Sequence, residues 1–231
     1  MAIRRGPLAP PESATEVFGM DGFTARTSGS WFRSGFPVDF ALRARPNNAD
    51  DKNALSRLTG ETTLRTDTGT AEVTTGNAQW DWMDGYADAV ANSSFFSWMW
   101  KRAPSFFDVV TYLPESGNLT VPHNLGVVPE MIWIKDRNTS NDWVIWHSGL
   151  SAGTSSANHT LRFTTASETS VNADIVSYSD TDFTVGNGRT RTNNRNAPGS
   201  YITYLFATLA GVSKVGSYTG NGSSQTINCG F

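Results

Sequence analysis

The sequence predicts an all-β protein: tandem antiparallel β-sandwich domains, jelly-roll-like, behind an extended N-terminal arm. Three observations predict it. Short apolar runs recur at regular spacing, divided by Gly, Asn, Ser and Pro, which is the pattern of a sandwich or barrel. No stretch repeats apolar residues at helical spacing for more than a turn or two. The chain also repeats itself. Val109, Tyr112, Thr120 and Val121 set beside Val215, Tyr218, Thr226 and Ile227 keep one offset, 218 − 112 = 106 residues. The same offset lays Trp98-Met99-Trp100 on Tyr204-Leu205-Phe206. A period of this size is one domain, far too long for a solenoid turn.

Residues 1–20 read as the arm, since Pro7, Pro10 and Pro11 remove backbone donors and favour extended structure. Ile3, Leu8, Val17 and Phe18 are apolar side chains that a merely solvating tail does not need, and Arg4 and Arg5 add charge. These six are candidates for docking onto a partner; the plainer reading is a disordered tail.

Residues 21–106 read as a first, diverged domain. Its strands are expected at 22–26, 38–45, 62–66 and 95–100. Phe40, Leu42 and Ala44 alternate with Ala41, Arg43 and Arg45, as in a strand with one wet face. Residues 53–58 could form one helical turn. Residues 107–211 read as the cleaner second copy, with strands expected at 107–113, 118–121, 130–135, 142–147, 160–164, 174–179, 182–185 and 200–208. Asn187-Gly188 and Asn221-Gly222 are tight-turn dipeptides. Between Gly188 and Gly199 the chain is too long and polar for a hairpin loop, so it is expected to be an exposed functional loop, a subunit contact or a mobile segment. Residues 212–231 begin a third copy and hold only its opening hairpin, which by itself is marginal in water. That predicts either a longer polypeptide or a hairpin that packs on a neighbour.

Eighteen basic and 21 acidic residues give a net charge of −3 spread along the chain, which leaves no basic footprint for nucleic acid. One cysteine, Cys229, excludes an internal disulfide framework and a cysteine-based zinc site. No apolar run reaches the roughly 20 residues of a membrane span. The N-terminus has the charge of a signal peptide without its apolar core, so export is not expected. Charged residues are only 17%, replaced by Thr, Ser and Asn, a neutral polar surface of the kind that extracellular or particle-exposed proteins carry.

The order Val109-Val-Thr-Tyr112, then His123-Asn-Leu-Gly-Val-Val-Pro-Glu-Met-Ile-Trp-Ile-Lys-Asp-Arg137, Asp142-Trp-Val-Ile-Trp-His-Ser148, Asp182-Phe-Thr-Val-Gly186 and Tyr201-Ile-Thr-Tyr-Leu-Phe206 resembles a repeated β-domain of tailed-phage virion proteins, such as tail fibre proteins of phages of marine bacteria. The resemblance covers residues 107–231 well and 21–106 weakly. It implies a place in the virion tail and brings no catalytic signature. It implies partners among tail proteins (adapter, baseplate or tail tube), self-association as a homotrimer, and host-surface contact that includes glycan. Two further readings are a carbohydrate-binding module array of a secreted protein and a capsid decoration protein.

Read for chemistry directly, the chain predicts no enzyme and no cofactor. His123, His147 and His159 lie in no metal-ligand spacing, and no nucleophile elbow or phosphate loop is present. His123 fits hydrogen bonding within its turn. Asp180 and Asp182 flank a turn and could bind calcium, though solvated carboxylates are the plainer reading. Trp80, Trp82 and Tyr86 beside Asp81, Asp84 and Asp88 have the composition of a sugar-stacking surface, while aromatic residues of β-proteins also serve as core or interface. Trp143 and Trp146 lie three apart and so face opposite sides of one strand, Trp146 with His147 being the one expected to meet a neighbour or solvent. Arg189, Arg191 and Arg195 of the polar loop complete the candidates for surface or subunit contact.

Overall fold

The computed structural model describes residues 9–24, 29–46, 52–74, 78–89, 94–150, 157–165, 169–196 and 199–230. The described residues are all-β apart from one 3-10 turn at Ala14–Glu16, where the Ser13 hydroxyl caps the Thr15 N–H. The first half holds β1 (Phe18–Gly22), β2 (Phe32–Arg33), β3 (Phe40–Ala44), β4 (Asn53–Ser56), β5 (Thr62–Arg65), β6 (Val73–Thr74), β7 (Ala78–Gln79), β8 (Gly85–Asp88) and β9 (Phe96–Trp100). The second holds β10 (Phe107–Tyr112), β11 (Leu119–Pro122), β12 (Met131–Asp136), β13 (Val144–His147), β14 (Ala157–Thr160), β15 (Thr169–Tyr178), β16 (Asp182–Val185) and β17 (Tyr201–Phe206).

The strands form four antiparallel sheets, in the orders β1-β9-β3-β4-β5-β6, β2-β8-β7, β10-β17-β12-β13 and β11-β16-β15-β14. In each half the first strand pairs with the last, the last with the third and the third with the fourth. The second strand pairs with the penultimate one in a separate sheet. The register agrees as well. Trp100 lies opposite Phe18 on one side and Phe40 on the other, and Phe206, 106 residues on (206 − 100), lies opposite Phe107 and Met131.

Period-2 alternation sorts the side chains into three cores. Phe32, Phe36, Val38, Ala41, Leu55, Trp80, Tyr86 and Met99 fill the space between the six-stranded sheet and the β2-β8-β7 sheet. Val121, Ile132, Ile134, Val144, Trp146, Phe183, Val185 and Leu205 fill the second half. The third core lies between the halves. Phe40, Ala54 and Leu64 of one sheet meet Phe107, Val109, Trp143, Ile202, Tyr204 and Phe206 of the other. Phe40 is its hub, with ring centroids 4.3 Å from Tyr204, 5.7 Å from Phe107 and 5.1 Å from Trp100. Both faces of the two central sheets are therefore covered, and all six residues of β17 are buried.

Polar contacts hold the same seam. The Trp143 indole N–H donates to the Arg65 carbonyl at 2.7 Å. Arg137 clasps the Glu72 carboxylate, its Nη2 at 2.7 Å, while the Glu72 N–H donates to the Arg137 carbonyl at 2.7 Å. Gly69 is needed where these segments touch, since a Cβ there would come 3.0 Å from Asp142 Oδ1 and 3.2 Å from backbone atoms. Lys135, fully buried, donates to the carbonyls of Asp136 at 2.7 Å and of Gly69 and Thr139 at 3.4 Å, which ties both halves. Burial lowers the Lys135 pKa to about 8, with Asp136, Asp142 and Glu72 opposing the shift.

Several expectations change. The first strand begins at Phe18 rather than Gly22, and Val17 is 2% exposed in the seam core, so Val17 and Phe18 belong to the folded body and not to a detachable arm. Ile3, Arg4, Arg5 and Leu8 lie outside the described residues, as do Ala25 and Arg26 of the strand expected at 22–26. Asn53–Ser56 is a buried strand instead of a helical turn, because register with β3 outweighs local propensity. β3 has no wet face: Arg43 is 4% exposed and ion-paired with the buried Asp88, its guanidinium 4.6 Å from the Phe95 ring centroid. The strand expected at 160–164 lies earlier, at Ala157–Thr160. The polar loop after Gly188 is largely docked, with Thr192 and Asn193 fully buried. The Thr192 carbonyl accepts from the Tyr112 hydroxyl at 2.6 Å, and the Asn193 side chain bonds the Glu115 N–H and the Gly117 carbonyl. Residues 216–230 form no strand and are exposed, so the expected opening hairpin is not made.

Two outcomes follow from the seam. Phe40→Ala should lower the free energy of unfolding by about 3–5 kcal/mol, as for other buried aromatic truncations, measured by urea denaturation. Lys135 holds its proton less tightly folded, at about 8, than in the unfolded chain, at 10.5. Between those values the unfolded chain binds more protons, so stability rises with pH. The cost of burying the charge is fully present below the lower value. Above about pH 10 the rise is cancelled, because burial pushes Tyr201 up to about 12 and Tyr86, Tyr112 and Tyr204 upward too, and only the unfolded chain ionises them there. Urea midpoints should climb between about pH 8 and about pH 9 in the wild type and stay flat over that interval in Lys135→Met.

Candidate binding cleft between the halves

A cleft of about 790 Å³ opens where the β9–β10 connector joins the halves. Pro37 and Asp39 precede β3, Arg57 follows β4, and Met83 precedes β8. Lys101, Arg102 and Pro104 come from the connector. The second half contributes Phe107 and Asp108 of β10, His123, Asn124 and Gly126 after β11, and Asp180 and Thr181 before β16.

The connector is fixed at both ends. The Lys101 N–H donates to the Val17 carbonyl at 2.8 Å and the Ser105 N–H to the Leu125 carbonyl at 2.7 Å. Ser105 takes a left-handed backbone, φ 61°, to make that turn. Asp39 accepts the Arg102 N–H at 2.8 Å and stands 3.5 Å from Arg102 Nε and 3.8 Å from Arg57 Nε. Arg57 in turn donates to the carbonyls of Val38 at 2.9 Å and Trp80 at 2.6 Å. Asp108, 4% exposed, accepts the backbone N–H groups of Val109 at 2.9 Å and Asn124 at 2.7 Å, which locks the turn after β11 onto β10.

His123 sits in that turn as its sequence position suggests. Its Nδ1 accepts the Leu125 N–H at 3.2 Å, which assigns the proton of the neutral ring to Nε2. Burial lowers its pKa, opposed by Asp108, the Ser179 backbone, Asp182 and Asp180, so the neutral form prevails at neutral pH. With its acceptor nitrogen taken, the ring braces the turn and has no lone pair free to abstract a proton. The cleft therefore offers hydrogen-bond donors and acceptors around the apolar faces of Pro37, Met83 and Pro104.

The residues singled out by sequence do not gather here. Trp80 is 7% exposed, donates its indole N–H to the Gly60 carbonyl at 2.9 Å and stacks 5.1 Å from Tyr86. Tyr86 is fully buried, its hydroxyl 2.8 Å from Ser97. Both are core, and Trp82 beside them is half-buried. Trp143 and Trp146 do face opposite sides, yet both are buried, 1% and 3% exposed, because each face of their sheet is covered. Trp146 packs 4.3 Å from Tyr178, which corrects its expected surface role. His147 is half-buried, its Nδ1 accepting the Gly149 N–H at 2.9 Å. Arg189 and Arg191 lie half-buried by Asp174, whose carboxyl is pushed up by burial against their opposing charge and that of Arg162. Arg195 is exposed and donates to the Ser116 hydroxyl at 2.8 Å. Asp180 lines the cleft, and Asp182 accepts from the Thr181 hydroxyl at 3.2 Å. Among the described residues no three His, Cys, Asp or Glu side chains gather as metal ligands. Sequence reading missed Asp39, Arg57, Lys101, Arg102 and Asp108. The one available signal was Lys101-Arg102-Ala103-Pro104, a charged, proline-broken joint between two aromatic strands.

No curated protein and no solved structure matches the chain. A family model, DUF7483, described as a domain of unknown function, matches residues 48–231. That match runs from just before β4 through both halves to the C-terminus and covers well over half of the sequence, so the chain belongs to the DUF7483 family.

Proposed function

We propose that the chain is a non-enzymatic structural protein of a tailed-phage virion, sited in the tail, whose halves are tandem jelly-roll-like sandwiches that face the host surface. One observation carries the reading: both halves share strand order, and their last strands, β9 and β17, hold equivalent register positions at the offset of the sequence repeat, 106 residues (206 − 100). The resemblance to virion β-domains rests on the ordered motifs of residues 109–206, which fall on β10, β12, β13, β16 and β17. The covered faces of both central sheets support it further, since a body with three aromatic cores suits a part that transmits force more than one that must open and close.

On this reading attachment to an adapter, baseplate or tail tube falls to the chain before Val17, with Ile3, Arg4, Arg5 and Leu8, because Val17 and Phe18 are spent in the body. Self-association as a homotrimer uses the neutral polar exterior. The burial of Trp80, Tyr86 and Trp146 weighs against a carbohydrate-binding module that stacks sugars on those rings.

Purified tail particles analysed by mass spectrometry should contain the chain in stoichiometric amount, and light scattering of the isolated protein should give three times the 25.1 kDa chain mass. Its absence from particles would refute the virion role, and a strict monomer at micromolar concentration would refute the trimer.

A further inference from the structure

We propose that the cleft between the halves binds a neutral polyhydroxylated ligand, the sugar units of a surface glycan. The biological meaning rests on the host-surface reading above; the binding itself does not.

Charge in the cleft is balanced. Arg57, Lys101 and Arg102 stand against Asp39, Asp108 and Asp180. Asp39 and Asp108 are consumed by internal contacts, to Arg102 and to two backbone N–H groups respectively. An acidic ligand or a phosphate chain finds no cationic excess, which separates this site from an anion site. Sugar hydroxyls each give and take a hydrogen bond, and the exposed lining supplies both kinds of partner. Asp180 accepts, and Asn124 and Thr181 do both.

Within that lining, Arg57 Nη2 is a buried N–H donor with no hydrogen-bond partner among the described residues. Buried polar atoms are seldom left so. A hydroxyl, directly or through a water, completes it. Pro37, Pro104 and the 66% exposed Met83 provide apolar surface for the C–H faces of a pyranose ring. A volume of about 790 Å³ lies within the usual range for small-molecule sites.

The test is an array printed with neutral and acidic bacterial-surface oligosaccharides, probed with the full chain and followed by titration of the best-bound neutral oligosaccharide. Asn124 and Asp180 are exposed, and no side-chain bond of either supports the fold in the described residues. Asn124→Ala and Asp180→Ala should each weaken binding by about tenfold at unchanged melting temperature, and added salt should have little effect. Met83→Arg, which fills the mouth with an extended cation, should abolish it. No bound oligosaccharide, binding of acidic ones alone with strong salt dependence, or binding that survives all three substitutions would overturn the site. Detection in tail particles does not depend on glycan binding, so the site can fail while the virion role stands, and the reverse.

Discussion

The structure depends on two β-sheets that have no free face. Each packs inward against its own partner sheet and outward against the other half, and the outward contact is made by equivalent positions, the Phe18, Phe40 and Trp100 row meeting the Phe107, Met131 and Phe206 row. Apolar burial of this kind is non-directional, so by itself it would let the sheets slide. Directional bonds set the seam: Trp143 to Arg65, Arg137 to Glu72, and the Lys135 ammonium among three carbonyls. Those groups sit where removal of one partner leaves a buried charge or dipole unmet, which costs more than the bond itself contributes.

The cleft follows from the same constraint. Two sets of antiparallel sheets pressed face to face leave a notch where the connector crosses from β9 to β10, and the connector must turn sharply there, through the left-handed Ser105. Backbone amides around that turn need acceptors, and Asp39 and Asp108 supply them, which is why the notch is lined with charge that is already satisfied. Polar recognition at this place is a consequence of how the halves are joined.

Much of this was legible in the residues. The all-β class, most strands of the second half and the equivalence of Trp100 with Phe206 (206 − 100 = 106) follow from period-2 alternation and self-similarity. What was not legible has one cause. An alternating strand with Arg43 and Arg45 on one side reads as half-wet, yet Arg43 is buried because Asp88, 45 residues away, neutralises it. Likewise nothing local distinguishes a Trp146 that meets solvent from one that meets Tyr178. Val17 and Phe18 follow a proline-rich stretch and look like tail, but their partners lie in β9 and in the seam. The cleft residues come from six separate segments, and no spacing rule joins them.

The central claim, that the halves are one cooperative body held by the seam, is tested most directly by native-state hydrogen exchange in low denaturant. Amides of β3 and β9 in the first half and of β12 and β17 in the second should open with one common free energy, equal to that of global unfolding. Exchange of β3 and β9 at a distinctly lower free energy, while β12 and β17 stay protected, would show that the first half unfolds alone and would contradict it.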